Sequence, residues 1–392
     1  MDLSLPPELQ SFKTVVRQIV KDQCIPLEKE YLSTSGPRPI GTLPAGAAER
    51  LKKVSLDTGI YTAHLTEKYG GGGLRALGAV VGDEETARSI VRLPICHVPN
   101  IVIENCTREQ EEKYVLPAIR GQMKACFAQT EPHSGSDPWT AMKTTAVKKG
   151  GDWIINGAKA FVSDADIANY MMLQAVTDPR KMMDGGITMF LVDRKLPGVS
   201  TSSIQTWISP GGATYNVFLD NVRVPDSQVL GELGQGHYLG QRWLGFHDRL
   251  MKCSTIVGVL TRGLEMSTDW SKRRVTFGKS ISERQAIQWM LVDVYITVSV
   301  LRRLAYDAAW RSDNGEDTST ASCLVKLCAS EWGWRSIDKI MQVFGGLGET
   351  VDMPIPHWYH SLRHSRIGGG TSETMYSNLA IALLEGRLSW EA

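Results

Sequence analysis

The sequence predicts an α+β fold in three parts. A helical domain covers residues 1–125, a compact β domain 126–232 and a second helical domain 233–392. Three observations predict it. The apolar residues of the first part recur at helical spacing. Near residue 126 the pattern changes to short apolar segments broken by Gly-Gly and Asn-Gly. From His237 the helical period returns and holds to the end.

The elements follow in chain order. Leu9, Phe12, Val16, Ile19 and Val20 form one helical face, opposite Lys13, Arg17 and Lys21. "YGGGGL" (69–74) separates helices. In "NCTREQEEKY" Thr107 is the expected N-cap, with Glu109 and Gln110 in the first turn. In "TTAVKKGGDWIINGAKAFVS" the Gly-Gly and Asn-Gly pairs are hairpin signals. "NYMMLQAV" (169–176), "GITMFLVD" (186–193) and "YNVFLDNVRVP" (215–225) continue the strands. Leu239, Trp243, Phe246 and Leu250 then make a helical stripe. Long amphipathic helices are expected over 283–312 and 320–344, and a last one from about Glu373 to Glu385.

Composition excludes several function classes. A net charge of +1 over 392 residues gives no general attraction to nucleic acid or an acidic membrane. No apolar run approaches the ~18–20 residues that cross a bilayer. The acidic start "MDLSLPPELQSF" lacks the basic region and apolar core of a secretory signal, so a cytoplasmic location is expected. Seven scattered cysteines (24, 96, 106, 126, 253, 323, 328), with no Cys-x-x-Cys and no matching histidines, read as free thiols and no metal site.

Several stretches could carry chemistry. "FAQTEPHSGSDP" (127–138) offers hydroxyls and open backbone N–H groups at a helix-to-strand change. It suits the polar edges or phosphates of a cofactor as well as it suits a solvated loop. "KAFVSDAD" (159–166) follows the Asn-Gly pair and sets Phe161 and Ser163 on one face of a strand. That pair fits a flavin ring and its edge, though taken by itself it is more often half-buried sheet. "KRRVTFGKSISERQAIQW" (272–289) and "QVFGGLGE" (342–349) could each bind phosphate.

In this order and spacing the stretches resemble the acyl-CoA dehydrogenase family over essentially the whole chain. "TEPHSGSD" matches the family's T-E-P-x-x-G-S-D, "FVS" its W-I-[ST], and "FLDNVRVP" the strand closing its β domain. "RRVTFGK" with "RQAIQ" matches R-x-T-F-G-K and the following Q, and "QVFGGLG" matches Q-[IVL]-x-G-G-x-G. The resemblance implies a middle β-barrel or sandwich domain, a C-terminal four-helix bundle, and FAD as cofactor. Phe127, Gln129, Thr130, Gly135 and Ser136 would line the flavin or the thioester end of the substrate. Phe161 would stand against the isoalloxazine where the family usually has tryptophan, and Ser163 would bond flavin N5. Arg274, Thr276, Phe277, Gln285, Gln342 and Gly346 would hold the ADP half, largely across a subunit interface. Thr371 and Glu373 would approach the diphosphate and adenosine. A homotetramer, as a dimer of dimers, and an electron-transferring flavoprotein as partner are further implications.

The family's chemistry takes an α-proton from an acyl-CoA onto a carboxylate and a β-hydride onto flavin N5. The carboxylate is usually a glutamate in a Y-E-G-T loop before the last helix. Here the run is "IGGGTSE", and glycine 369 occupies the glutamate position. A subgroup carries the base on the first helix of the C-terminal domain, directly before an arginine. The matching run is "WLGFHDRLMK", so Asp248 is the expected base. Aspartate is shorter than glutamate by one methylene, roughly 1.5 Å. Gly369 keeps the backbone N–H that would bond the thioester carbonyl, and its missing side chain suggests room for a bulky acyl group. His247, Arg249 and Ser136 are candidate substrate contacts, and His133 a further polar one. Competing readings are desulfinase-like or nitroalkane-oxidase-like chemistry on the same fold, and a non-catalytic subunit of a heterotetramer.

Overall fold

The computed structural model describes residues 4–33, 43, 46–206 and 214–388. The chain forms two compact units, Cys96–Leu244 and Met1–Ile95 with Gly245–Ala392.

The first unit is built on seven strands: β1 (Ala125–Ala128), β2 (Thr145–Lys149), β3 (Asp152–Ser163), β4 (Tyr170–Val176), β5 (Ile187–Asp193), β6 (Val199–Ser203) and β7 (Thr214–Pro225). Their order is β1-β4-β2-β3-β7-β6, with β5 beside β4. Strands β4 and β5 are buried almost end to end, which explains their unbroken apolar sequence. Ile155, Leu173, Phe190, Val192 and Val217 centre the core. Burying each large aliphatic or aromatic side chain contributes roughly 1.5–3 kcal/mol. Thr107 caps its helix as expected, in a reciprocal box with Gln110.

Gly150-Gly151 turns β2 into β3, as the sequence predicts. Asn156-Gly157 does not make a hairpin. It lies inside β3, where the register against β7 shifts between Ile155 and Gly157. A Cβ on Gly157 would come within 2.5 Å of Thr144 Oγ1 and 2.6 Å of Thr144 Cα. The glycine therefore admits a close backbone neighbour and a bulge rather than a chain reversal.

The second unit is helical. Its main helices are Pro7–Ile19, Ala47–Asp57, Arg75–Thr86, Met251–Arg273, Gln285–Asp313, Ser319–Phe344, Pro354–His364 and Ser372–Leu384. Val16, Val20, Leu51, Val80, Ile256, Leu260, Leu301 and Ile337 share one core. Three adjacent carboxylates, Asp83, Glu84 and Glu85, are buried in it. Glu84 is bonded by Lys13 at 2.9 Å and Arg302 at 3.0 Å, Glu85 by Arg17, and Asp83 by Ser254 and Thr255. Buried charge is tolerated because each carboxylate is matched.

The stripe Leu239-Trp243-Phe246-Leu250 does not run on a uniform α-helix. Leu244–Leu250 is a π-helical segment leading directly into Met251–Arg273. Among the described residues no helix is long and apolar enough to cross a membrane, and no His, Cys, Asp or Glu cluster could hold a metal. All seven cysteines are free thiols.

Candidate active site

In the β unit the residues expected at the flavin lie on two adjoining segments. The loop after β1 carries Gln129, Thr130, Gly135 and Ser136, and the end of β3 carries Phe161 and Ser163. The Ala160 N–H donates to the Thr130 carbonyl at 2.8 Å, tying loop to strand. Phe161 and Ser163 both face out while Val162 between them is buried, so the shared face holds. Phe161 is 62% exposed and sits at φ 56°, and Ser136 at φ 67°. Strained conformations at non-glycine residues persist where the surroundings hold them, and they cluster at ligand sites. The buried Gln129 Nε2 has no hydrogen-bond partner. An orphaned buried amide next to an exposed aromatic fits the polar edge and flat face of a flavin. Phe127 stacks on Trp243 with centroids 4.2 Å apart.

Sequence reasoning passed over what anchors these segments. Lys159 is fully buried, and its Nζ donates to Glu131 at 2.9 Å and to the Gln129 carbonyl at 3.1 Å. Glu131 also accepts from the N–H groups of Lys143 (2.7 Å) and Thr144 (2.8 Å). Burial opposes its charge, yet Lys159 and these donors outweigh that and hold its carboxyl below the usual range. The legible signal was a lysine on the inward phase of β3 opposite the glutamate of "TEP".

In the helical unit Arg274, Phe277, Gln285, Gln342 and Gly346 are all exposed, Phe277 at 97%. The Thr276 hydroxyl receives the Arg284 guanidinium, whose carbon lies 5.6 Å from the Phe277 ring centroid. A phenylalanine so exposed, beside open polar side chains, suits a surface that a ligand or partner covers. The residues present therefore fit FAD at both ends of the molecule. Thr371 caps the last helix by accepting from Thr374 N–H at 3.2 Å, and Glu373 is exposed in its first turn. His133 lies exposed on the loop after β1.

The two expected catalytic positions meet. A Cβ built on Gly369 would lie 2.8 Å from Asp248 Cβ and 2.9 Å from the Asp248 carbonyl oxygen. The π-helical turn bearing Asp248 is therefore packed directly against the glycine loop. Such widened turns are frequent at functional sites. The anticipated spare room at Gly369 is not there, because Asp248 occupies it. Likewise, a Cβ on Gly368 would lie 2.7 Å from His364 Nε2. The adjacent glycines admit two named side chains, so the ground for expecting a bulky acyl group is removed.

Gly369 has φ +70° and Gly370 φ +97°, a region that favours glycine. Among the described residues the Gly369 N–H makes no hydrogen bond. Lys326, 1% exposed and absent from the sequence-based candidates, donates its Nζ to the Gly370 carbonyl. On the far side Ser372 and Arg366 both bond Glu331, at 2.7 and 2.6 Å. Burial pushes the Asp248 carboxyl above its ordinary range, against the opposing pull of Lys252, Arg249 and Lys326. His247 is half-buried with its ring edge-on to Phe246, and Arg249 is 5% exposed.

Comparison with known proteins agrees with this architecture. Residues 6–122, 126–222 and 235–384 match the models of the acyl-CoA dehydrogenase N-terminal, middle and C-terminal domains. The chain is 32% identical to (R)-benzylsuccinyl-CoA dehydrogenase of Thauera aromatica, over 99% of this chain and 98% of that one. It is 28% identical to acryloyl-CoA reductase (NADH) of Anaerotignum propionicum, over 95% and 93%. Butyryl-CoA dehydrogenase from Megasphaera elsdenii superposes with a TM-score of 0.86 at 26% identity, covering 98% of this chain and 100% of that one. With three domain matches in the expected order, the chain belongs to the acyl-CoA dehydrogenase family of FAD-dependent oxidoreductases acting on CH–CH groups.

Proposed function

We propose that the protein dehydrogenates an acyl-CoA thioester between Cα and Cβ, with Asp248 taking the α-proton. The observation that carries this is the contact of Asp248 with Gly369. The position where the family's loop glutamate stands is met by the Cβ and backbone carbonyl of Asp248 on the neighbouring helix. The same contact supports the shorter side chain as the base, since the helix backbone itself comes up to the loop. Desolvation makes Asp248 a stronger base than an exposed aspartate, which helps abstraction from a weakly acidic carbon. The open Gly369 N–H would donate to the thioester oxygen, where negative charge develops as the proton leaves. Lys326 holds the Gly370 carbonyl, two peptide units on, and so braces the loop that carries that donor. When bound, FAD supplies the hydride acceptor. Phe161, Ser163 and Gln129 would hold its ring, and Arg274, Gln285, Gln342 and Gly346 its ADP half. His247, Arg249 and Ser136 would contact the substrate, and Thr371 and Glu373 the cofactor.

The finer assignments belong to the same proposal. Domain boundaries fall near residues 125 and 232. Electrons pass to an electron-transferring flavoprotein. The chain forms a homotetramer, consistent with Trp289, Val292, Tyr295 and Ile296 exposed along one helix. Seven free thiols suit a reducing compartment such as the cytoplasm. Two relatives are described as reductases, of 3-(aryl)acrylate and of acryloyl-CoA. In that direction Asp248 would return the proton to Cα, and its raised pKa suits an acid. Anaerobic titration of the FAD-loaded protein with a panel of acyl-CoAs tests the reading. Bleaching of the flavin by at least one saturated thioester is expected. No bleaching by saturated thioesters, together with no oxidation of the reduced protein by enoyl-CoAs, would overturn it.

A further inference from the structure

We infer that Glu331 and Lys326 are positioning residues, which grip the glycine loop at its neck and its tip and so aim the Gly369 N–H. The inference rests on the reading of that N–H as the donor to the thioester oxygen. Gly368, Gly369 and Gly370 follow one another, and glycine has more backbone freedom to lose than any other residue. A donor carried on such a run keeps one direction only where other residues hold it. Gly369 and Gly370 stand at φ +70° and +97°, and the Gly369 N–H makes no hydrogen bond among the described residues.

Both grips come from one helix, Ser319–Phe344. At the neck, a single oxygen of Glu331, Oε1, accepts from Arg366 Nε at 2.6 Å and from the Ser372 hydroxyl at 2.7 Å. Arg366 precedes the loop and Ser372 follows it, and the Ser372 N–H donates to the Arg366 carbonyl at 3.0 Å. The loop is thereby closed at its base on a buried carboxylate. At the tip, the Lys326 Nζ donates to the Gly370 carbonyl from a side chain equally shut off from water. Glu331 follows Lys326 by five residues, roughly 7.5 Å along the helix axis. Between the grips Gly369 packs on Asp248 and Gly368 on His364.

The two grips respond differently to pH. Glu331 is matched by charge, with Arg366 on Oε1 and Arg335 at 3.6 Å from Oε2. Lys326 meets a neutral carbonyl. Burial, seconded by Arg249, lowers its pKa to about 8, against the opposing pull of Asp248, Glu331 and Glu373. His364 also faces it, with its own pKa lowered to about 4 by burial. The tip grip therefore weakens as pH rises through about 8, when the ammonium becomes an amine, while the neck grip holds. A misplacement of ~1 Å at a reacting group is enough to cost ~10²-fold in rate.

The experiment uses the FAD-loaded protein and 4-(dimethylamino)cinnamoyl-CoA, a thioester whose absorbance moves to the red when its carbonyl accepts a hydrogen bond. That readout needs neither turnover nor the base. A red shift is expected on binding, and it should shrink as pH rises through about 8. Glu331→Ala and Lys326→Met should each lose most of the shift. Each should also slow flavin reduction by the fastest substrate ~10–10²-fold, with thioester affinity changed less than about threefold. Glu331→Gln keeps an oxygen for Ser372 and Arg366 and should restore most of the shift, and Lys326→Met should lose its pH dependence. Should Glu331→Ala not retain FAD, Lys326→Met and the pH dependence of the unaltered protein decide. No red shift in the unaltered protein, no change in it with pH, or a full shift in either FAD-loaded variant would overturn the inference. Asp248→Asn should keep the shift, so failure of the base assignment, seen as unslowed flavin reduction in that variant, is told apart from failure of the grips.

Discussion

Replacing Gly369 with alanine tests the packing of base against loop. The residue sits at φ +70°, where an L side chain costs roughly 1–2 kcal/mol. The new methyl would lie 2.8 Å from Asp248 Cβ and 2.9 Å from the Asp248 oxygen, well inside the ~3.5–4.0 Å optimum of carbon contacts. Overpacking of this kind costs about 1–3 kcal/mol. Gly369→Ala should therefore lose about 2–5 kcal/mol in denaturant unfolding of the FAD-loaded protein. Displacement of the candidate oxyanion donor should also slow flavin reduction by roughly 10²-fold. Combining it with Asp248→Gly removes the Cβ–Cβ clash and leaves the backbone strain and the contact with the residue-248 carbonyl. The cost of Gly369→Ala should then fall by about 1–2 kcal/mol in a double-mutant cycle. A loss under about 0.5 kcal/mol, or a cycle with no coupling, would show that the two residues do not touch and would refute the reasoning.

Other expectations follow from the same geometry. Asp248 must be ionised to accept a proton and its pKa is raised, so flavin reduction should fall as pH drops through a value above the ordinary ~3.9 of aspartate. A pre-steady-state pH profile with no acid limb above about 4 would contradict this. Lys159→Met leaves Glu131 buried without its counter-charge and should cost about 3–5 kcal/mol and weaken FAD retention, as unfolding and flavin content would show. Adding Glu131→Gln should recover part of that loss; additive losses would remove the pair's significance. Phe161→Gly relieves a positive-φ residue and should leave the apoprotein as stable or up to ~1 kcal/mol more stable while weakening FAD binding. Unchanged FAD affinity would separate Phe161 from the flavin.

The fold was legible because period and turn chemistry agree over most of the chain. β4 and β5 read as strands, and Thr107 as a cap, from local signals alone. Asn156-Gly157 misled because its glycine answers a tertiary demand, the approach of Thr144, which no local pattern encodes. Asp248 was singled out as the expected base by what was missing at 369. The meaning of that glycine was reversed by the structure, since it accommodates the aspartate rather than a larger substrate. The π-helical turn stayed hidden because a single widened turn barely changes the apolar period. Lys159 and Lys326 were passed over because lysines are ordinarily surface residues, and only packing shows which lose their water.

The central claim is that Asp248 accepts the α-proton, and anaerobic stopped-flow reduction of FAD-loaded Asp248→Asn tests it most directly. With the thioester that reduces the unaltered protein fastest, the variant should keep its FAD and bind the thioester. Its flavin should bleach ~10²–10⁴-fold more slowly. Bleaching at the unaltered rate would place the base elsewhere.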